Sequence, residues 1–191
     1  MSGFQLQRLG TITQPGNQQE IEGVLNPAAA RVPDGELYLF PSLVAQGNYS
    51  RIGVARVPAG GPAGVERFSI ALEPEADCEL RPGRGGCEDP RITFVEPLQR
   101  YVMTYTAFSP QGPRIASAVS ADLFHWQRLG LAMFGNYQGV DIGGVDNKDA
   151  SLFPVAIPNR TGHPDSAMLH RPLFPGARPE ETVCDPPDAK V

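Results

Sequence analysis

The chain has 191 residues, a formal net charge of −5 and a pI near 5.2, which excludes the basic face that a nucleic-acid partner needs. Its 21 Gly and 20 Pro suit short strands joined by turns better than a helical bundle. The 41% hydrophobic fraction is enough for a packed core.

The opening MSGFQLQRLGTITQPG lacks a cationic segment leading into a long apolar run. Neither a signal peptide nor a membrane span is predicted, so the expected location is the cytoplasm, away from membranes. Cys78, Cys87 and Cys184 form no C-x-x-C pair, which disfavours a disulfide framework, a zinc knuckle or any other metal site.

Strand signals follow in chain order. Residues 28–40 predict a hairpin turning at Pro33-Asp34-Gly35. SRIGVARV (50–57) and VERFSIAL (65–72) predict two more strands. The pattern then recurs: RITFVEPLQRYVMTYTAF (91–108) predicts strand, turn, strand. PRIASAVS (113–120) and HWQRLG (125–130) follow, the latter placing Trp126 and His125 in packing positions. A third round starts with KDASLFPVAI (148–157) and SAMLHRP (166–172).

Asn26-Pro27, Asp89-Pro90 and Lys148-Asp149 open the three rounds at spacings of 63 and 59 positions. A four-strand unit repeating at this period predicts an all-β fold, a β-propeller. An irregular β-sandwich is the competing architecture. The expected layout is a partial propeller over residues 1–177: blade 1 about 26–72, blade 2 about 89–130 and part of blade 3 about 148–172. A polar, proline-rich tail at 178–191 is expected to be disordered. Two and a half to three blades fall short of a closed propeller, so the chain reads as truncated. It has an open sheet edge on which another chain can add, a second copy included.

In a propeller the innermost strands line the channel, so Asn26, Asp89 and Lys148-Asp149 are expected at one funnel. Arg114, Lys148, His170 and Arg171 form a second signal, because a basic ring near a channel suits an oxyanion such as phosphate. Arg128 and Arg160 read as ordinary surface charge. Each feature also has a plain reading: Asp89-Pro90 is a common turn opener, and Arg91 can neutralise Asp89. Tyr49, Tyr105, Phe108 and Tyr137 are possible sugar-stacking faces that also suit strand packing.

NPAAAR with GNYSRIGVARV, GCEDPRIT, YTAFSPQGPRIASAVSADLFHW, NKDASLFP and MLHRP together resemble glycoside hydrolase family 130, over about residues 20–177. The resemblance implies a five-bladed propeller acting on β-mannoside oligosaccharides as a phosphorylase or a mannosidase. A phosphorylase needs one dominant carboxylate, because inorganic phosphate is the nucleophile and no other cofactor is required. The resemblance makes Asp89 the proton donor and gives phosphate to Arg114, Lys148, His170 and Arg171. Asn26, Arg51, Glu88 and Asp149 are expected to contact sugar, and Arg91 to orient Asp89. Ser42 stands where a basic residue is expected in relatives. The basic cluster favours phosphorolysis with inversion, giving α-mannose 1-phosphate. A β-mannosidase, or a silent fragment that only binds sugar or a partner, is the alternative. A furanosidase with three carboxylates on successive blades is disfavoured because Asn26 is not acidic.

Overall fold

A computed structural model describes residues 5–6, 10–59, 64–136 and 139–174, so Tyr137, Cys184 and the 178–191 tail lie outside the described residues. Strands β1 (Gly23–Arg31), β2 (Leu37–Ala45), β3 (Tyr49–Val57) and β4 (Glu66–Leu72) form an antiparallel meander. A second meander follows: β5 (Gly85–Val95), β6 (Arg100–Ser109), β7 (Gly112–Ser120) and β8 (Gln127–Leu131). Two short parallel pairings, Tyr49 with Gly85 and Ser50 with Gly86, link β3 to β5 and join both meanders into one eight-stranded sheet. The third unit consists of β9 (Asp146–Leu152) paired with β12 (Met168–Leu173).

Residues 148–157, expected as one strand, divide. β9 stops at Leu152, and the two-residue strands β10 (Ile157–Pro158) and β11 (Pro164–Asp165) form a separate small ladder. Pro154, between β9 and β10, lacks the N–H that a continuous strand would donate. No helix among the described residues is long and apolar enough to cross a membrane.

The core lies between the two meanders. β2 is buried along almost its whole length, because LYLFPSLVA is apolar at both parities and each face meets a layer. Tyr38 and Phe40 face the second meander, edge-on to Phe124 and Trp126 at centroid distances of 5.0 and 6.1 Å. They join Ile52, Met103, Tyr105 and Leu123 in the buried cluster, where each large apolar side chain contributes about 1.5–3 kcal/mol. Leu39, Pro41 and Leu43 face the other way, toward Ile12, Thr13 and Glu20 of the N-terminal segment, across a cavity of about 260 Å³. Trp126 therefore packs as expected, but His125 does not: its side chain is 89% exposed and pairs with Asp122.

Arg128 is a second correction. It is no ordinary surface charge, because its guanidinium meets the fully buried Glu79 at 3.0 Å and also engages Glu75 and the Glu73 carbonyl. Glu79 accepts further hydrogen bonds from Tyr105 and from the backbone of Glu75 and Ala76. Burial pushes the Glu79 carboxyl up, but these donors outweigh it and hold the group below its ordinary value.

Candidate active site

The first strand of each unit, β1, β5 and β9, carries the same backbone device. Asn26, Asp89 and Asp149 adopt φ of 43, 50 and 55°. Each sits at a break in its ladder: Leu25/Ala28 in β1, Glu88/Arg91 in β5, and the Leu169/Arg171 break of β12 opposite β9. Asn and Asp tolerate this left-handed region better than other residues with side chains. Pro27 and Pro90 cannot donate to a ladder, so the bulge falls where pairing is already lost. The structural counterpart of Asp89 in the third unit is thus Asp149, and Lys148 aligns with Glu88.

The bulge takes Asp89 out of strand alternation and gives it new partners. Its backbone N–H donates to the buried Ser42 Oγ at 2.9 Å, and Asn26 Nδ2 donates to its Oδ1 at 2.6 Å. Lys148 Nζ lies 4.0 Å from Asp89 Oδ2 and 3.6 Å from Glu88 Oε2. Ser50 Oγ donates to Glu88 Oε1 at 3.3 Å. One residue from each of three units, Asn26, Asp89 and Lys148, therefore meets in a single polar cluster. Gly86 makes the approach possible: at φ of 123° it lies so close to β3 that a Cβ there would collide with the Ser50 carbonyl.

Burial raises the Glu88 carboxyl above its ordinary value; Lys148 opposes this and the Asp89 charge adds to it. Arg91 does not orient Asp89. Its guanidinium donates to the Pro90 carbonyl at 2.8 Å, because the bulge breaks the alternation that would set positions 89 and 91 on one face.

The expected basic ring is arranged along β9. Its residues 146–149 each engage a different site candidate. Asp146 pairs with Arg114 at 2.9 Å, and Asn147 hydrogen-bonds His170 Nδ1 at 3.0 Å. Lys148 faces Glu88 and Asp89. Asp149 holds Arg171 through Nη2 at 2.6 Å and Nε at 2.9 Å. His170 stacks on Phe134 at 4.5 Å, and burial lowers its pKa, favouring the neutral ring.

Arg51 stands apart in its contacts, pairing with Glu73 at 3.0 Å and lying over the Tyr49 ring at 4.7 Å. Its buried Nη1 has no hydrogen-bond partner. Ser50, Asp146 and Asn147 escaped sequence reasoning, and Ser42 stood out only as a departure from relatives, not as a partner of Asp89. Ser42 is 47 positions from Asp89, so no local pattern marks it, whereas Asp146 is two residues before Lys148 and strand alternation could have found it.

Residues 9–175 match the family model of β-1,4-mannooligosaccharide phosphorylases, glycoside hydrolase family 130. The chain belongs to this family. Family 130 includes mannoside phosphorylases and glycoside hydrolases, and its fold is a five-bladed β-propeller. Each of the two meanders has four strands, the number in a propeller blade.

A Parabacteroides distasonis protein assigned as a glycoside hydrolase is 34% identical, with a TM-score of 0.55. The match covers 68% of this chain and 38% of that one. A family 130 glycoside hydrolase that targets β-1,2 mannosidic linkages in Candida mannan is 29% identical over 68% of this chain and 37% of its own, with a TM-score of 0.55. The β-1,2-mannobiose phosphorylase of Listeria innocua, solved with β-1,2-mannobiose, shares the fold at 18% identity and a TM-score of 0.56. That match covers 82% of this chain and 60% of that one. The chain thus spans less than two fifths of the first two relatives. No curated protein matches it in sequence.

Proposed function

We propose that this family 130 chain carries the proton-donor and anion-binding residues of a β-mannoside phosphorylase. The observation that carries the reading is the placement of Asp89. It is lifted out of the β5 ladder, tethered by Ser42 and Asn26, and lies within 4.0 Å of Lys148. A single oriented carboxylate is enough where phosphate supplies the nucleophile; hydrolysis needs a second carboxylate to activate water.

In the proposed reaction a phosphate oxygen attacks the anomeric carbon on the face opposite the leaving group. The C1–O glycosidic bond breaks with its electron pair on the leaving oxygen, and Asp89 supplies the proton that oxygen takes up, relayed through a mannosyl hydroxyl. The products are α-mannose 1-phosphate and the shortened acceptor. Arg114, Arg171 and Lys148 supply charge for phosphate. His170, whose pKa burial lowers, supplies a hydrogen bond. Asn26 and Glu88 border the sugar position, and the unpartnered Arg51 Nη1 is a donor for a sugar hydroxyl.

One observation favours a second reading, hydrolysis. Arg114 and Arg171 are each neutralised by a β9 carboxylate, so neither guanidinium offers an uncompensated charge to a phosphate dianion. Glu88, raised by burial beside Asp89, would then serve as the second carboxylate.

Product analysis by ³¹P and ¹H NMR separates the readings. With β-1,4- and β-1,2-mannosides, α-mannose 1-phosphate forming only when phosphate is present supports the proposal. Free mannose released at the same rate without phosphate contradicts it in favour of hydrolysis, and neither product contradicts both.

A further inference from the structure

The four basic candidates are held very differently. Arg171 donates two N–H groups to one carboxylate, and Lys148 is shared between two. Arg114 has another kind of support. Its Nη1 donates to the Pro113 carbonyl at 2.9 Å and its Nη2 to the Gly144 carbonyl at 3.4 Å, and the Asp146 carboxylate is added on top of these. Only 21% of the Arg114 side chain is exposed, against 47% of Asp146. The carbonyls can keep the guanidinium in place after the carboxylate has left, and the carboxylate has solvent to leave into.

Two features around this pair point the same way. A cavity of about 120 Å³ lies beside Arg114 and Asn147, its other walls chiefly apolar, Leu131, Met133 and Phe134 among them, well above the ~10–15 Å³ that a single water needs. Gly112 begins β7 at φ of 87°, and a Cβ there would collide with Asp146 Oδ1. The missing side chain leaves the room in which Asp146 reaches Arg114.

Resting on the phosphorylase reading above, we propose that Asp146 is a resident counter-ion of Arg114. Phosphate displaces it, so that Asp146 sets phosphate affinity without touching sugar. Exchange of a carboxylate for a phosphate on one guanidinium keeps the charge-assisted hydrogen bonds and changes only the anion. The carboxylate then competes with phosphate for the same N–H groups and repels it as a like charge. Asp146 keeps access to solvent and the carbonyls of Pro113 and Gly144 go on holding Arg114, so removal of the carboxylate charge changes anion binding more than folding.

The test is titration of the 191-residue chain with inorganic phosphate, followed calorimetrically, for wild type, Asp146→Asn and Asp146→Glu. Asp146→Asn is expected to tighten phosphate about three- to tenfold, while Asp146→Glu, which keeps the charge, stays near wild type. Melting curves recorded alongside exclude loss of the fold as the cause. If wild type binds phosphate and Asp146→Asn binds it equally or more weakly, Asp146 is a clamp between β7 and β9 and the inference is overturned, with the phosphorylase reading intact. If no variant binds phosphate, the phosphorylase reading itself is overturned. If Asp146→Glu tightens phosphate as Asp146→Asn does, charge competition is overturned as the cause.

Discussion

Glu79 and Glu88 flank the buried Cys87 and live in opposite surroundings. Glu79 is fully buried, accepts from Arg128, Tyr105 and two backbone N–H groups, and lies below its ordinary pKa. Glu88 is nearly as enclosed, but its partners stand at 3.3 and 3.6 Å, its neighbour Asp89 is another acid, and it lies above its ordinary pKa. One carboxylate has every oxygen matched by donors, as a structural group should. The other is left short of donors beside a strained Asp89, as groups that await a ligand often are. The difference teaches that burial of an acid does not by itself mark a site; the partners gathered around it decide what it does.

Substitutions on the two sides should break in different ways. The largest effect is expected from Asp89→Asn, which keeps the shape and the contact with Asn26 but removes the proposed proton donor. Steady-state rates should fall about 10²–10⁴-fold. Next is Glu79→Ala, which strands Arg128 and Tyr105 and should cost about 3 kcal/mol in urea unfolding. That is the lower end for a broken buried pair, because Arg128 keeps some access to solvent.

The smallest effect is a change of slope with pH. Glu88 is raised in the folded state, so it contributes stability below the ordinary carboxylate range that is lost as pH rises through its folded value. Glu79 is lowered, so its contribution is present above that range and is lost as pH falls through its folded value. Glu88→Gln should therefore flatten a decline of stability with rising pH, read from melting temperatures across pH 4–8. An unchanged slope would show that Glu88 is better satisfied than its contacts indicate.

Much of the frame was legible in the chain. Alternating strands, the Pro33-Asp34-Gly35 turn and the repeated polar dipeptides announce a β repeat, because strand periodicity and turn chemistry are local. The dipeptides at Asn26 and Asp89 mark the bulges for the same reason: a proline cannot join a ladder. The third bulge, at Asp149, has Ala150 in place of proline, so the dipeptide Lys148-Asp149 brackets the equivalent position and the spacing counted from Lys148 starts one residue early.

Pairings between distant positions were not legible. Arg128 meets Glu79 across 49 positions and Asp89 meets Ser42 across 47, distances at which no local pattern survives. Arg91 shows the converse error. The expected contact with Asp89 rested on nearness in sequence, and the left-handed Asp89 turns the two side chains to different partners.

The central claim is that Asp89 serves chemistry whereas Glu79 serves the fold. Turnover of a β-mannoside in phosphate and melting temperature, recorded on the same preparations of wild type, Asp89→Asn and Glu79→Ala, test it most directly. The account predicts that Asp89→Asn loses turnover at a wild-type melting temperature and that Glu79→Ala melts well below it. Full turnover in Asp89→Asn, or a loss of stability there as large as in Glu79→Ala, would contradict it.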